Sequence, residues 1–148
     1  MNASPVDKIL SPCHCAVLRK ASRHVSRAYD TALVSSGLKT TQFSLLAAMD
    51  RADGSFPTMK ELAEVMVMDR STLGHNLRPL EKQGFIRLAA SKEDARSRHI
   101  LLTRKGRSKL EEARGLWRKM QTRFESSFGA GPTTILRGSL LSLATTEF

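Results

Sequence analysis

Residues 58–103 read TMKELAEVMVMDRSTLGHNLRPLEKQGFIRLAASKEDARSRHILLT, and the fold of the chain turns on that stretch. Thr58-Met59-Lys60-Glu61 is a capping box, in which a threonine hydroxyl and a glutamate three residues later satisfy the orphan amide donors of a first helical turn. Leu62, Ala63 and Met66 supply the inward face of that short helix. Asp69 then stands where a second helix can begin, its carboxylate capping the first turn and meeting the positive end of the dipole. From there Leu73, Leu77 and Leu80 recur at helical spacing and form one apolar stripe. The other face carries Ser71, His75, Arg78 and Lys82, with Arg70 and Thr72 in the first turn and Asn76 at its edge. Gly84 supplies a left-handed stop. Phe85-Ile86-Arg87-Leu88 changes the period to two, a polar loop runs from Ala90 to Ser97, and His99 to Leu102 returns. This is a hairpin with Ile86, Leu88, Ile100 and Leu102 on its inner face, and Lys92, Arg96 and Arg98 near its tip against Glu93 and Asp94.

Helix, turn, helix and basic hairpin make a winged helix-turn-helix, so the expected fold class is mainly α with a two-stranded β-wing. A helix that buries three leucines and shows serine, threonine, histidine and arginine outward suits the major groove of DNA, where arginine pairs with guanine. Arginine at a hairpin tip suits the minor groove, where the potential is most negative. The candidate DNA-binding residues are therefore Arg70, Ser71, Thr72, His75, Asn76, Arg78, Lys92, Arg96 and Arg98. The spacing of Asp94 to Arg96 permits a local ion pair that would orient the loop. Pro79 lies inside the second helix, removes an amide donor, and is expected to bend or loosen the helix there.

The order of elements, the Asp94-Ala95-Arg96 tip and the following Leu102-Thr103-Arg104-Lys105-Gly106 resemble the MarR (multiple-antibiotic-resistance regulator) family of bacterial transcription factors, over nearly the whole chain. The resemblance implies that Asp94 braces the wing and Arg96 enters a minor groove. It also implies a homodimer whose first, fifth and sixth helices form the dimer layer. In that family a small-molecule pocket lies between the dimer helices and the winged region and receives aromatic acids or similar anions. Arg23, His24 and Trp117 are chemically suited to line such a pocket here.

Composition agrees with a polyanionic partner: 148 residues, net charge +10 and a pI of about 10.3. Between Asp69 and Lys109 there are eleven lysines and arginines against four acids, so the charge lies in the winged stretch. Hydrophobic content of 41% suffices for one domain with an aliphatic core, since aromatics make up only 5%. The sequence has no run of eighteen apolar residues and no leader pattern, which leads us to expect a soluble cytoplasmic protein without a membrane partner. No glycine-rich phosphate loop, carboxylate pair or metal cluster suggests an enzyme or a cofactor. Cys13-His14-Cys15 invites a metal reading, but a structural zinc site needs four ligands and no second cluster exists. A redox-sensing thiol at Cys13 or Cys15, near a helix N-terminus and several arginines, is the chemical alternative to two small residues packing at a helix start.

In chain order, Met1 to Pro12 is a polar lead. A first helix from about Cys13 to Ser35 carries Leu18, Ala21, Val25, Ala28 and Ala32 as a heptad seam, with Gly37 as its stop. A second, from Thr41 to about Arg51, would bury Phe43, Leu46 and Ala47, and Asp53-Gly54 marks a turn. After the wing, Thr103 caps a long helix to about Phe128. Gly129 to Pro132 breaks it, and a last helix from about Thr133 to Thr145 is apolar nearly all round. A terminal helix of that kind needs a cover, and a second copy is the simplest one. The expected organisation is a single domain over residues 1–148, with 41–103 the winged region and 1–36 and 104–148 the dimerisation helices. The expected function is a sequence-specific transcriptional regulator, a ligand- or redox-responsive repressor that binds a pseudo-palindromic operator as a homodimer. The rival reading is a sequence-indifferent architectural protein, for which charge alone suffices.

Overall fold

The computed structural model describes residues 12–52 and 55–148; the polar lead before Pro12 and the Asp53-Gly54 turn lie outside the described residues. Among these residues are six α-helices and one two-stranded sheet: α1 His14–Leu33, α2 Thr40–Arg51, α3 Met59–Met66, α4 Arg70–Lys82, β1 Ile86–Ala90, β2 Arg98–Leu102, α5 Arg104–Phe128 and α6 Ala130–Ala144. The fold is the mainly helical winged helix-turn-helix that the sequence predicts.

The core lies between α2, the helix-turn-helix, the inner face of the wing and the first half of α5. Leu45, Leu46, Leu73, Leu80, Ile100 and Leu110 have no exposed surface. Ile86 pairs with Leu102 and Leu88 with Ile100 across the antiparallel strands, so all four predicted inward residues share one face. The capping box forms as read, with the Glu61 amide donating to Thr58 Oγ1 at 3.2 Å and the Thr58 amide donating to the Glu61 carboxylate at 2.8 Å.

Three boundaries differ from expectation, and α4 closes where expected despite Pro79. The first helix ends at Leu33 and tightens into a 3-10 turn, Val34–Ser36, because Gly37 at φ 76° reverses the chain. Helix α2 starts one residue early because Asp30, reaching over from α1, accepts from the Thr40 amide at 2.7 Å. Pro79 does not end α4, which continues to Lys82 and closes on Gly84 at φ 76°, with the Phe85 amide donating to the Leu80 carbonyl at 2.9 Å. The break before α6 is the single residue Gly129, at φ 99°. Pro132 falls in the first turn of α6, where its missing N–H is no loss.

One pairing was invisible in the sequence. Pro57 and Thr58 run along the outer edge of β2, with the Ile100 amide donating to the Pro57 carbonyl at 2.9 Å and a bridge from Thr58 to His99. His99 Nδ1 lies 2.8 Å from the Phe56 carbonyl, so that nitrogen carries the proton. The wing is thereby anchored to the start of the helix-turn-helix.

Candidate nucleic-acid interface

Helix α4 is built from its N-cap outward. Asp69 accepts from the Thr72 amide at 2.7 Å and from the Thr72 hydroxyl at 2.8 Å, and these bonds hold its carboxyl below the usual range. The cap costs Thr72 its freedom, since the hydroxyl is already donated within the protein. Asn76 is also turned inward along the helix, its side-chain amide donating to the Thr72 carbonyl at 2.8 Å. Arg70, Ser71, His75 and Arg78 are exposed, while Leu73, Leu77 and Leu80 are at most 3% exposed. The helix therefore has the two faces its pattern predicts, with Ser71, His75 and both arginines as its outward chemistry.

The turn before it has a feature that only coordinates reveal. Val67 adopts the left-handed conformation, φ 51° and ψ 47°, and the Met68 amide donates to the Ala63 carbonyl at 2.9 Å to close α3. A β-branched residue is strained there. Its presence explains why no glycine marks this turn in the sequence.

The wing tip is organised by two side chains. Ser91 Oγ accepts from the amides of Glu93 and Asp94 at 3.2 and 3.3 Å, and Asp94 Oδ1 accepts from the Arg96 amide at 2.9 Å. Asp94 thus holds the loop through the backbone of Arg96, and among the described residues no ion pair joins the two side chains. Lys92, Arg96 and Arg98 are exposed around that turn. Ser91, which the sequence reading passed over, supports it from the other side.

Part of the basic surplus serves the fold. Arg107 Nη1 and Arg114 Nη2 both donate to the Asp50 carboxylate, at 2.6 and 2.5 Å, tying α5 to α2. Lys109 pairs with Glu112 at 2.8 Å, and Lys105 donates to the Gln83 carbonyl at 2.7 Å while lying over the Phe85 ring. The cations Arg70 and Arg78 of α4 and Lys92, Arg96 and Arg98 of the wing face outward.

Residues 36–97 match the sequence model of the MarR family. The chain is 31% identical over 100 residues to the HTH-type transcriptional regulator SarZ of Staphylococcus haemolyticus, covering 68% of this chain and 67% of that protein. This chain belongs to the MarR family. The M. tuberculosis transcriptional regulator MosR, in a crystal structure in complex with DNA, is 39% identical to this MarR regulator, with a TM-score of 0.80, covering 89% of this chain and 93% of that one. The transcriptional repressor CouR, bound to a 23-mer DNA duplex, is 26% identical with a TM-score of 0.80, covering 91% and 94%. The family is one of DNA-binding transcriptional regulators.

The residues suggested for an effector pocket in this MarR regulator do not converge. Trp117 stacks on Phe43 with ring centroids 5.7 Å apart, inside the core. His24 lines an open groove of about 710 Å³ between α1, α5 and α6, together with Met120 and Arg123. Arg23 faces a separate shallow depression beside Leu18 and Arg19. A smaller, mostly apolar cleft of about 280 Å³ lies nearby, lined by Tyr29, Gln121, Phe124, Glu125, Leu136 and Arg137, where the Tyr29 hydroxyl donates to Gln121 and burial pushes the phenol up. Cys13 is the N-cap of α1, its Sγ accepting from the Ala16 amide at 3.4 Å, and Cys13 and Cys15 are both exposed thiols. Among the described residues no group of three or more His, Cys, Asp or Glu could hold a metal ion, and no helix is long and apolar enough to cross a membrane.

Proposed function

We propose that this MarR-family regulator acts in the cytoplasm as a homodimeric repressor of a pseudo-palindromic operator. Helix α4 lies in the major groove and the wing on the adjacent backbone and minor groove. The observation that carries the reading is the 39% identity, over nearly the full chain, to a regulator seen with DNA, joined to an α4 whose exposed face is Arg70, Ser71, His75 and Arg78. Bases are chosen by Ser71, His75 and the two arginines, while Lys92, Arg96 and Arg98 neutralise phosphates, with Arg96 oriented by Asp94. Thr72 and Asn76 act through the helix they stabilise. Residues 1–36 and 104–148 form the dimer layer. In support, α6 buries no residue within the chain, and Ile135 and Leu141 are 72% and 66% exposed. Release from DNA follows when a small aromatic or anionic effector, or oxidation at Cys13 and Cys15, shifts the spacing of the two reading helices.

The test is fluorescence-anisotropy binding to the duplex upstream of the protein's own gene and to a scrambled duplex, across a salt series. A gap on the order of a thousandfold or more is expected for specific binding. Arg96→Ala should weaken binding to both duplexes and reduce the salt slope by about one. Equal affinities for every candidate operator and for scrambled DNA would identify an architectural protein instead.

A further inference from the structure

A glycine inside a helix calls for a reason, because glycine is the poorest helix former after proline. Gly106, in the first turn of α5, has one within the fold: a Cβ there would lie 2.0 Å from the Phe85 carbonyl oxygen and 2.8 Å from Leu102 Cδ1. Gly74, in the middle of α4, has none, since a Cβ built on it meets nothing within 4 Å. Gly115, Gly131 and Gly138 are equally open, but they lie on α5 and α6, outside the helix-turn-helix.

The position of Gly74 is what gives it meaning. It lies on the flank of the outward face of α4, one turn from both Arg70 and Arg78 and beside Ser71. All three of those neighbours are exposed. The surface between them is bare helix backbone, framed by two guanidinium groups and a hydroxyl. Guanidinium and hydroxyl groups pair with the donors and acceptors of base edges. A bare Cα–H surface offers space and an apolar contact, and the group in the major groove that fits this description is the thymine 5-methyl.

We propose that Gly74 is a specificity-determining residue, whose missing side chain forms a socket for one thymine methyl in each operator half-site. This rests on the reading of α4 as the major-groove helix. The experiment is a selection from random duplexes by the full-length wild type, followed by anisotropy of wild type and Gly74→Ala on the selected duplex, its scrambled form and its uracil derivatives. Gly74→Ala should melt at or above the wild-type temperature, since alanine favours the helix and has room. It should lose about tenfold in affinity for the selected duplex, the size of one mismatched base pair, while scrambled DNA binds it as before. Replacing thymine by uracil at one position of each half-site removes the methyl and should restore most of the lost affinity to Gly74→Ala. Unchanged affinity for the selected duplex, an equal loss on scrambled DNA, or a loss that no uracil position rescues would each overturn the socket. If the wild type selects no consensus at all, the major-groove reading itself falls, a separate and visible failure.

Discussion

Helix α4 and helix α6 are both rich in leucine, and they dispose of it in opposite ways. On α4, Leu73, Leu77 and Leu80 are at most 3% exposed, and the wing and α2 close over them. On α6, Leu140, Leu141 and Leu143 are 42%, 66% and 38% exposed, and no residue of the helix is fully buried within its own chain. The first region completes its core from one copy of the sequence, while the second leaves apolar surface uncovered within the chain and, in the proposed dimer, would be half of an interface. Their apolar patterns already differ, since α4 carries one leucine stripe and α6 is apolar nearly all round. In the folded chain, what separates them is whether neighbouring elements can reach the apolar face.

The strongest way to break that comparison is to damage each side in turn. Leu80→Ala should lower the free energy of unfolding by about 2–5 kcal/mol, by lost transfer energy and an unfilled cavity. Because the cavity is internal, urea melts should show that loss at every protein concentration. Leu141→Glu should leave the helical content of the chain in place and convert the dimer to a monomer in sedimentation equilibrium. A dimer that survives Leu141→Glu would remove α6 from the interface.

A smaller effect sharpens the comparison at the cap of α4. Asp69→Ala should lower the melting temperature, as the loss of an N-cap does. The bonds from Thr72 lower the Asp69 carboxyl in the folded state, so the stability it contributes is full above the unfolded carboxylate pKa and is lost as pH falls through the depressed folded value. Thermal melts from neutral pH into the carboxylate range and below should therefore fall more steeply for wild type than for Asp69→Ala. Parallel curves would mean that the cap bonds do not persist in solution. The smallest effect is expected at the turn before α4: Val67→Gly relieves the left-handed strain and gives back some chain entropy, for a net gain of up to about 1 kcal/mol. A lower melting temperature would show that the valine side chain makes a contact worth more than its strain.

These same sites show what the amino-acid pattern reveals and what it hides. The capping box, the Asp69 cap, the leucine stripe and the inward face of the hairpin were legible because each is a rule of local spacing. The turn at Val67 was not, since the residue there contradicts the usual preference and is held by the packing of Leu62, Ala63 and Leu73 on either side. Nor was the seat of Pro57 against β2, or the Asp30 cap on α2, because both join residues far apart in sequence. At the interface, the outward set on α4 could be read from a helical wheel. That Asn76 and the Thr72 hydroxyl are already engaged could not, because a wheel gives direction and says nothing of hydrogen bonds made within the helix. The proposed effector lining failed to converge for a related reason: Trp117, chosen for its chemistry, has Phe43 as its stacking partner.

Thr103 links the two unlike regions. Its hydroxyl donates to the Gly84 carbonyl at 2.6 Å, at the end of α4, and accepts from the Gly106 amide at 3.0 Å, at the start of α5. Helix α5 then runs 25 residues without a break to Phe128 beside α6. At the ordinary helical rise that is an arm about 37 Å long, so a tilt of about 5° at its far end would carry the riveted end roughly 3 Å sideways. A displacement of that size is comparable to the spacing between neighbouring base pairs. One threonine thus makes α5 a lever whose fulcrum lies beside α6 and whose load is α4.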